Sequence, residues 1–143
     1  MHAMTPIMTI AGGASLIFAL MAPTVGAAEA NCLVRPYRPI EVEVRTNRAD
    51  RLNLRLMTAI RAAYAACGSG YVVTKQGDSG RLTVTIVGRV GMQRFGGRNL
   101  IAYRVDYLVY GARSGQIAGD CSDDDIQVCA RSIVKGSPPV SME

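Results

Sequence analysis

Four cysteines, Cys32, Cys67, Cys121 and Cys129, constrain the fold of this chain more than any other feature. They are even in number, no Cys-x-x-Cys occurs among them, and the only histidine is His2. Thiols at such spacing, with no imidazole to share a metal, read as structural disulfides rather than as a metal or redox centre. Disulfides persist where the compartment is oxidising, so the cysteines predict a domain that folds outside the cytosol.

The amino-terminal residues point the same way. From Ile7 to Ala28 no residue is charged, and Pro23 breaks any helix before the small run Gly26-Ala27-Ala28. The apolar core, Ile7 to Met21, has the length of a signal h-region and falls short of the roughly 20 residues of a spanning helix. Ahead of it, only the amino terminus and His2 carry positive charge. The small-x-small rule is met at Ala28-Glu29-Ala30, and slightly earlier at Gly26-Ala27-Ala28. Residues 1–30 are therefore expected to be a cleaved signal peptide, cut after Ala30 or Ala28. Glu29-Ala30-Asn31 does not supply the Leu-small-small pattern that lipidation of Cys32 requires. The expected location is the periplasm, with secretion as the second choice and no membrane span after cleavage.

Residues 31–143 then form one domain of 113 residues, enough for a single modest core. All sixteen basic residues lie in it, fourteen of them arginine, against ten acidic ones once Glu29 is removed, a net charge of +6. A positive protein is drawn to phosphates and anionic envelope polymers. No run of five like charges occurs, so most of this charge reads as solvated surface, and no nucleic-acid partner is expected.

Ile40-Glu41-Val42-Glu43-Val44 alternates apolar and acidic residues, the pattern of a half-buried strand with Glu41 and Glu43 outward. Asn47, with Asp50 three positions on, can cap a helix whose apolar stripe is Leu52, Leu56, Ile60, Ala63 and Cys67. Arg55, Thr58, Arg61 and Ala65 fall on its opposite side, and Gly68 ends it. Tyr71 to Lys75 is a short strand, and residues 76–80 are a turn cluster. Leu82, Val84 and Ile86 alternate with threonines in a strand that extends toward Val90. Phe95-Gly96-Gly97-Arg98 is a hairpin tip, after which Ile101, Tyr103, Val105, Tyr107 and Val109 share one strand face. Ser114-Gly115 turns the chain into a last strand, Gln116 to Cys121. Ser122 and Asp125 cap a short helix bearing Ile126, Cys129, Ala130 and Ile133, which Gly136, Pro138 and Pro139 stop. The order β-α-β-β-β-β-α predicts an α+β fold: a mainly antiparallel sheet of four to five strands, with one long amphipathic helix and a short C-terminal helix on one face.

This order selects among the three possible pairings of the cysteines. A first strand of about 12 residues rises some 36 to 40 Å, and an antiparallel helix of about 18 residues returns roughly 27 Å. Cys32 and Cys67 then meet at one pole, while Cys121 and Cys129 flank a single strand-to-helix turn. The expected bridges are Cys32–Cys67 and Cys121–Cys129.

Catalytic chemistry has few places to reside. Without a histidine in residues 31–143, serine-histidine and cysteine-histidine nucleophiles are ruled out, as are histidine metal ligands. Lys75 and Lys135 sit in or beside turns. Asp123-Asp124-Asp125, with Asp120 nearby, lacks the alternating spacing and glycine of a calcium loop and reads as helix-capping charge. No catalytic residue, metal site or cofactor is assigned, and the protein is not expected to be an enzyme. The stretch Arg89 to Arg98 is the candidate binding site. It places Arg89, Arg94 and Arg98 beside Met92 and Phe95 at a hairpin tip, where neither apolar side chain has a core to enter.

The succession of leader, strand, helix ending in Cys67-Gly68, the run Leu82-Thr83-Val84-Thr85-Ile86 and the tyrosine-rich strand Ile101 to Tyr107 resembles the LptE family of small bacterial envelope proteins. The likeness covers residues 38–110 and lies in element order. It implies helices layered on a sheet, and a periplasmic accessory protein that binds an envelope protein or an anionic glycolipid during lipopolysaccharide or outer-membrane assembly. The lipobox of that family is missing, and the Asp loop between Cys121 and Cys129 is not part of its pattern. A small, basic, doubly stapled secreted inhibitor or toxin-like protein is the alternative.

Overall fold

The computed structural model describes residues 39–67, 70–75 and 80–140. The expected signal peptide, Cys32, Gly68 and most of the 76–80 turn cluster lie outside the described residues. Strand β1 (Ile40–Thr46) leads to helix α1 (Arg51–Ala65) and strand β2 (Tyr71–Val73). Strands β3 (Leu82–Ile86), β4 (Gly91–Phe95), β5 (Arg98–Val109) and β6 (Ala112–Ser122) follow. A 3-10 turn (Asp123–Asp125) then opens helix α2 (Ile126–Lys135). The fold class is α+β, as the patterning predicts.

The sheet is mixed. β3, β4 and β6 each pair antiparallel with β5, whereas β1 pairs parallel with both β2 and β3. The parallel part follows from α1: a helix between two strands carries the chain back across the sheet, so β1 and β2 run the same way. Among the described residues six strands form, one more than the upper expectation, because the run from Leu82 does not continue to Val90. Ile86 pairs with Val105 and Gly91 with Ala102, so four residues, Val87 to Val90, lie opposite only Tyr103 and Arg104. β6 occupies the other edge of β5 along residues 100–109, so β3 and β4 lie end to end on one edge, separated by a bulge.

A buried asparagine fixes that bulge. Asn53, fully buried on α1, donates from Nδ2 to the Gly88 carbonyl at 2.8 Å and to Thr46 Oγ1 at 3.0 Å. Its Oδ1 accepts the Val90 N–H at 2.9 Å. Gly88 takes φ +66, and Val87 N–H still reaches the Arg104 carbonyl at 2.9 Å. One helical side chain thus replaces the ladder bonds that the bulge removes, and it sets where β4 begins.

The core lies between the helices and one sheet face. Val42, Val44, Leu82, Val84, Ile86, Ile101, Val105 and Tyr107 meet Leu56, Ile60 and Tyr64 of α1 and Ile133 of α2, each under 2% exposed. Burial of each aliphatic side chain contributes about 1.5–3 kcal/mol. Tyr64 packs edge-on against Tyr71 with ring centroids 4.8 Å apart, and its hydroxyl meets Ser137 Oγ at 2.6 Å. Tyr107 donates to the Ile133 carbonyl, tying β5 to α2. Gly119 pairs with Tyr103, and its lack of a side chain leaves room for the tyrosine hydroxyl.

Three expectations need correction. Glu43 is not on an open face: it is 2% exposed, paired with Arg45, whose Nε donates to Glu43 Oε1 at 2.6 Å. Its register partner Thr83 is also buried. β1 has neighbours on both edges, and Gly80 sits so close that a Cβ there would lie 2.8 Å from Glu43 N. Ser114-Gly115 is not a turn but a bulge within β6. The reversal is at Tyr110-Gly111, both at positive φ (51° and 81°), a conformation that is uncommon for tyrosine. The α1 N-cap is Asp50 rather than Asn47, and its carboxylate is taken by Arg48 Nε at 2.8 Å. That bond holds the Asp50 carboxyl below the usual aspartate range.

Candidate functional site

The site is built on the β4–β5 hairpin. Gly96 and Gly97 both take positive φ (58° and 81°), the requirement of a two-residue type I′ turn, and Phe95 pairs with Arg98 across it. Arg94 lies opposite Asn99, Gln93 opposite Leu100 and Met92 opposite Ile101. Because strand residues alternate, Met92 and Arg94 take the face that β5 turns to the helices, while Gln93, Phe95 and Arg98 take the other.

All five expected binding residues are on the surface, whereas Val90 within the same stretch is buried. Phe95 is 75% exposed and Met92 45%, and Arg89, Arg94 and Arg98 are exposed beside them. The five residues are not in one cluster. Arg89 belongs to the bulge, where its charge acts on Asp50, whereas Arg94, Phe95 and Arg98 crowd the tip. Arg94 and Arg98 form no ion pair among the described residues. β4 is also the end of the sheet path, so no described strand covers its outer edge.

A polar recess of about 440 Å³ opens beside the tip, lined by Gly97, Arg98, Asn99, Ser122, Asp123 and Asp124. The Cys121–Cys129 bridge, with Cα atoms 5.6 Å apart, brings the 3-10 turn against this recess, as expected from the cysteine spacing. Asp124 N–H donates to Ser122 Oγ at 3.4 Å, and Asp123 accepts from Arg55 Nη1 at 2.9 Å. Ser122 thus caps the 3-10 turn and Asp123 makes an inter-element ion pair, while the aspartates form no metal-ligand cluster among the described residues. Cys67 is a half-cystine, whereas the Cys32 end of its expected bridge lies outside the described residues. Lys75 and Lys135 are exposed, and Glu41 is exposed on β1, opposite Val72 of β2.

Two contributors escape pattern reading. Asn53 lies on the buried side of α1, and a polar residue between Leu52 and Leu56 is the one signal that marked it. The open edge of β4 depends on the bulge and so has no local sequence signal. No helix among the described residues is long and apolar enough to cross a membrane.

No family model matches the chain, and no curated protein matches it. Among solved structures it is similar to a PelC dodecamer from Paraburkholderia phytofirmans, at 13% identity and TM-score 0.45, with 71% of this chain and 88% of that chain covered. It is also similar to protein XCC0632 from Xanthomonas campestris, of the family DUF330, at 10% identity and TM-score 0.46, covering 71% and 82%. Likenesses this distant transfer no residue or role to the present chain.

Proposed function

We propose that this chain is a non-enzymatic binding protein of the bacterial cell envelope, acting in the periplasm, which docks a partner through the β4–β5 hairpin. One observation carries the reading. Phe95, 75% exposed, crowds the hairpin tip with Arg94 and Arg98, neither in an ion pair among the described residues, and β4 has an outer edge that no described strand covers. Aromatic and arginine side chains dominate interface hot spots, and a monomer gains nothing by holding such a cluster in water. Export is supported by the leader pattern of residues 1–30 and by the Cys121–Cys129 bridge, which persists in oxidising compartments. The resemblance of residues 38–110 to the LptE family favours an outer-membrane protein or lipopolysaccharide as the partner.

The test is affinity capture from a cell-envelope extract with wild-type protein and with Arg94→Glu/Phe95→Ala/Arg98→Glu. The expected result is loss of the captured partner by the triple variant, with folding intact by circular dichroism. Undiminished capture removes the hairpin from consideration. Recovery of the protein in culture supernatant rather than periplasm favours the secreted alternative.

A further inference from the structure

The open edge of β4 has a definite polarity. In a two-residue hairpin the closing pair, Phe95 and Arg98, exchanges hydrogen bonds, so Gln93 and Gly91 also turn their backbone groups toward β5. Met92 and Arg94 therefore direct their N–H and C=O groups outward. Val90 has the same outward parity, and its N–H is taken by Asn53 Oδ1 at 2.9 Å. Among the described residues the free ladder begins at Met92, immediately past that bond.

Along the segment that carries this ladder charge has one sign, and the carboxylates of Asp123 and Asp124, beside Arg98, belong to the recess next to the tip. From Ser79 to Val105 the chain carries five arginines, Arg81, Arg89, Arg94, Arg98 and Arg104, and no aspartate or glutamate. Arg104, like Arg94 and Arg98, is exposed, on β5. A second copy would bring the same arginines to a five-residue edge, and like-charge repulsion opposes that pairing. An acidic strand is attracted to it. Main-chain hydrogen bonds from an added strand supply affinity, and alternate side chains supply selectivity.

We propose that β4 accepts an extended acidic segment of a partner protein as an added strand. A carboxylate lies across from Arg94, and an apolar side chain, one position along and on the opposite face, lies across from Phe95. The assignment rests on the reading of the hairpin as the docking site and names the chemistry of its occupant.

The test uses the purified oxidised protein and a fluorescein-labelled peptide that alternates valine and glutamate, followed by fluorescence anisotropy at low salt. Two control peptides replace glutamate by lysine or carry N-methyl groups on alternate residues, which remove main-chain donors without changing charge. The acidic peptide is expected to bind, and both controls to bind at least about tenfold more weakly. Met92→Pro removes one outward N–H, and an edge strand tolerates proline there without loss of the β5 ladder. It is expected to weaken the acidic peptide by a similar factor. Arg94→Glu/Arg98→Glu alters only exposed side chains and gives the same readout if the proline variant does not fold. Equal binding of the N-methylated peptide, or undiminished binding by a folded Met92→Pro, overturns strand addition. Binding to phosphatidylglycerol vesicles without peptide binding, or a dimer that charge reversal dissolves, overturns the choice of occupant. If the hairpin variants lose capture from envelope extract while no acidic peptide binds, the docking site stands and this assignment falls.

Discussion

Asn53 shows how one polar side chain governs geometry far from it in sequence. It spends both ends of its amide on a bulge 35 to 37 residues away, so removing it leaves the Gly88 carbonyl and the Val90 N–H without their bonds in a buried place. Asn53→Ala is expected to cost about 1–3 kcal/mol in urea unfolding. The Val90 amide should also lose its protection from hydrogen exchange. Leu54→Ala, one residue on and 42% exposed, is the control and should change stability by less than about 0.5 kcal/mol. Equal effects at the two positions would contradict the role of Asn53. Glu43 teaches the converse. Alternation along β1 correctly places it on the face opposite Val42 and Val44, but alternation says nothing about what covers that face.

Among the elements, the strand-turn-helix unit from β6 to α2 is the most local. Its disulfide joins residues eight apart and spans the turn that holds Asp123 against Arg55. Loop-closure entropy for so short a loop predicts that Cys121→Ser/Cys129→Ser loses about 2–3 kcal/mol of stability, read by thermal or urea unfolding. A much smaller loss would mean that helix packing alone holds this turn. The β4–β5 hairpin is equally legible, because Gly96-Gly97 between alternating residues announces a type I′ turn. The β5–β6 reversal was not, because Tyr110 adopts a conformation that propensity assigns to glycine or asparagine, while Ser114-Gly115 offers the more usual turn chemistry.

At the scale of the molecule, the core between the sheet and helices is rich in tyrosine. Burial raises the hydroxyls of Tyr64, Tyr71, Tyr103 and Tyr107 above the ordinary tyrosine value, most strongly at Tyr64 and Tyr107. The group is neutral below that value, and a folded pKa above the unfolded one favours the native state only while the unfolded chain stays protonated as well. Stability should therefore be flat with respect to these groups up to about pH 10 and fall as pH rises beyond it, toward their raised folded values. Ionisation of these four tyrosines, read by ultraviolet titration, should coincide with the loss of far-ultraviolet signal. Ionisation of all six tyrosines near pH 10 with the fold intact would contradict the burial.

Periodicity by itself determined the element order apart from β4, the apolar faces of α1, β3 and β5, the hairpin tip and the partners Cys121 and Cys129. Each of these is a contact or a direction set within a few residues, where side-chain spacing and turn chemistry act directly. Tertiary structure alone decided the parallel placement of β1 between β2 and β3, the burial of Glu43, and the division of one apparent strand into β3 and β4. These depend on which segments lie side by side, and the chain carries no local record of a neighbour that it meets only after folding. The start of β4 is the consequence: Asn53 reaches across from α1 to the bulge, and the hairpin's closing pair then turns Met92 and Arg94 outward.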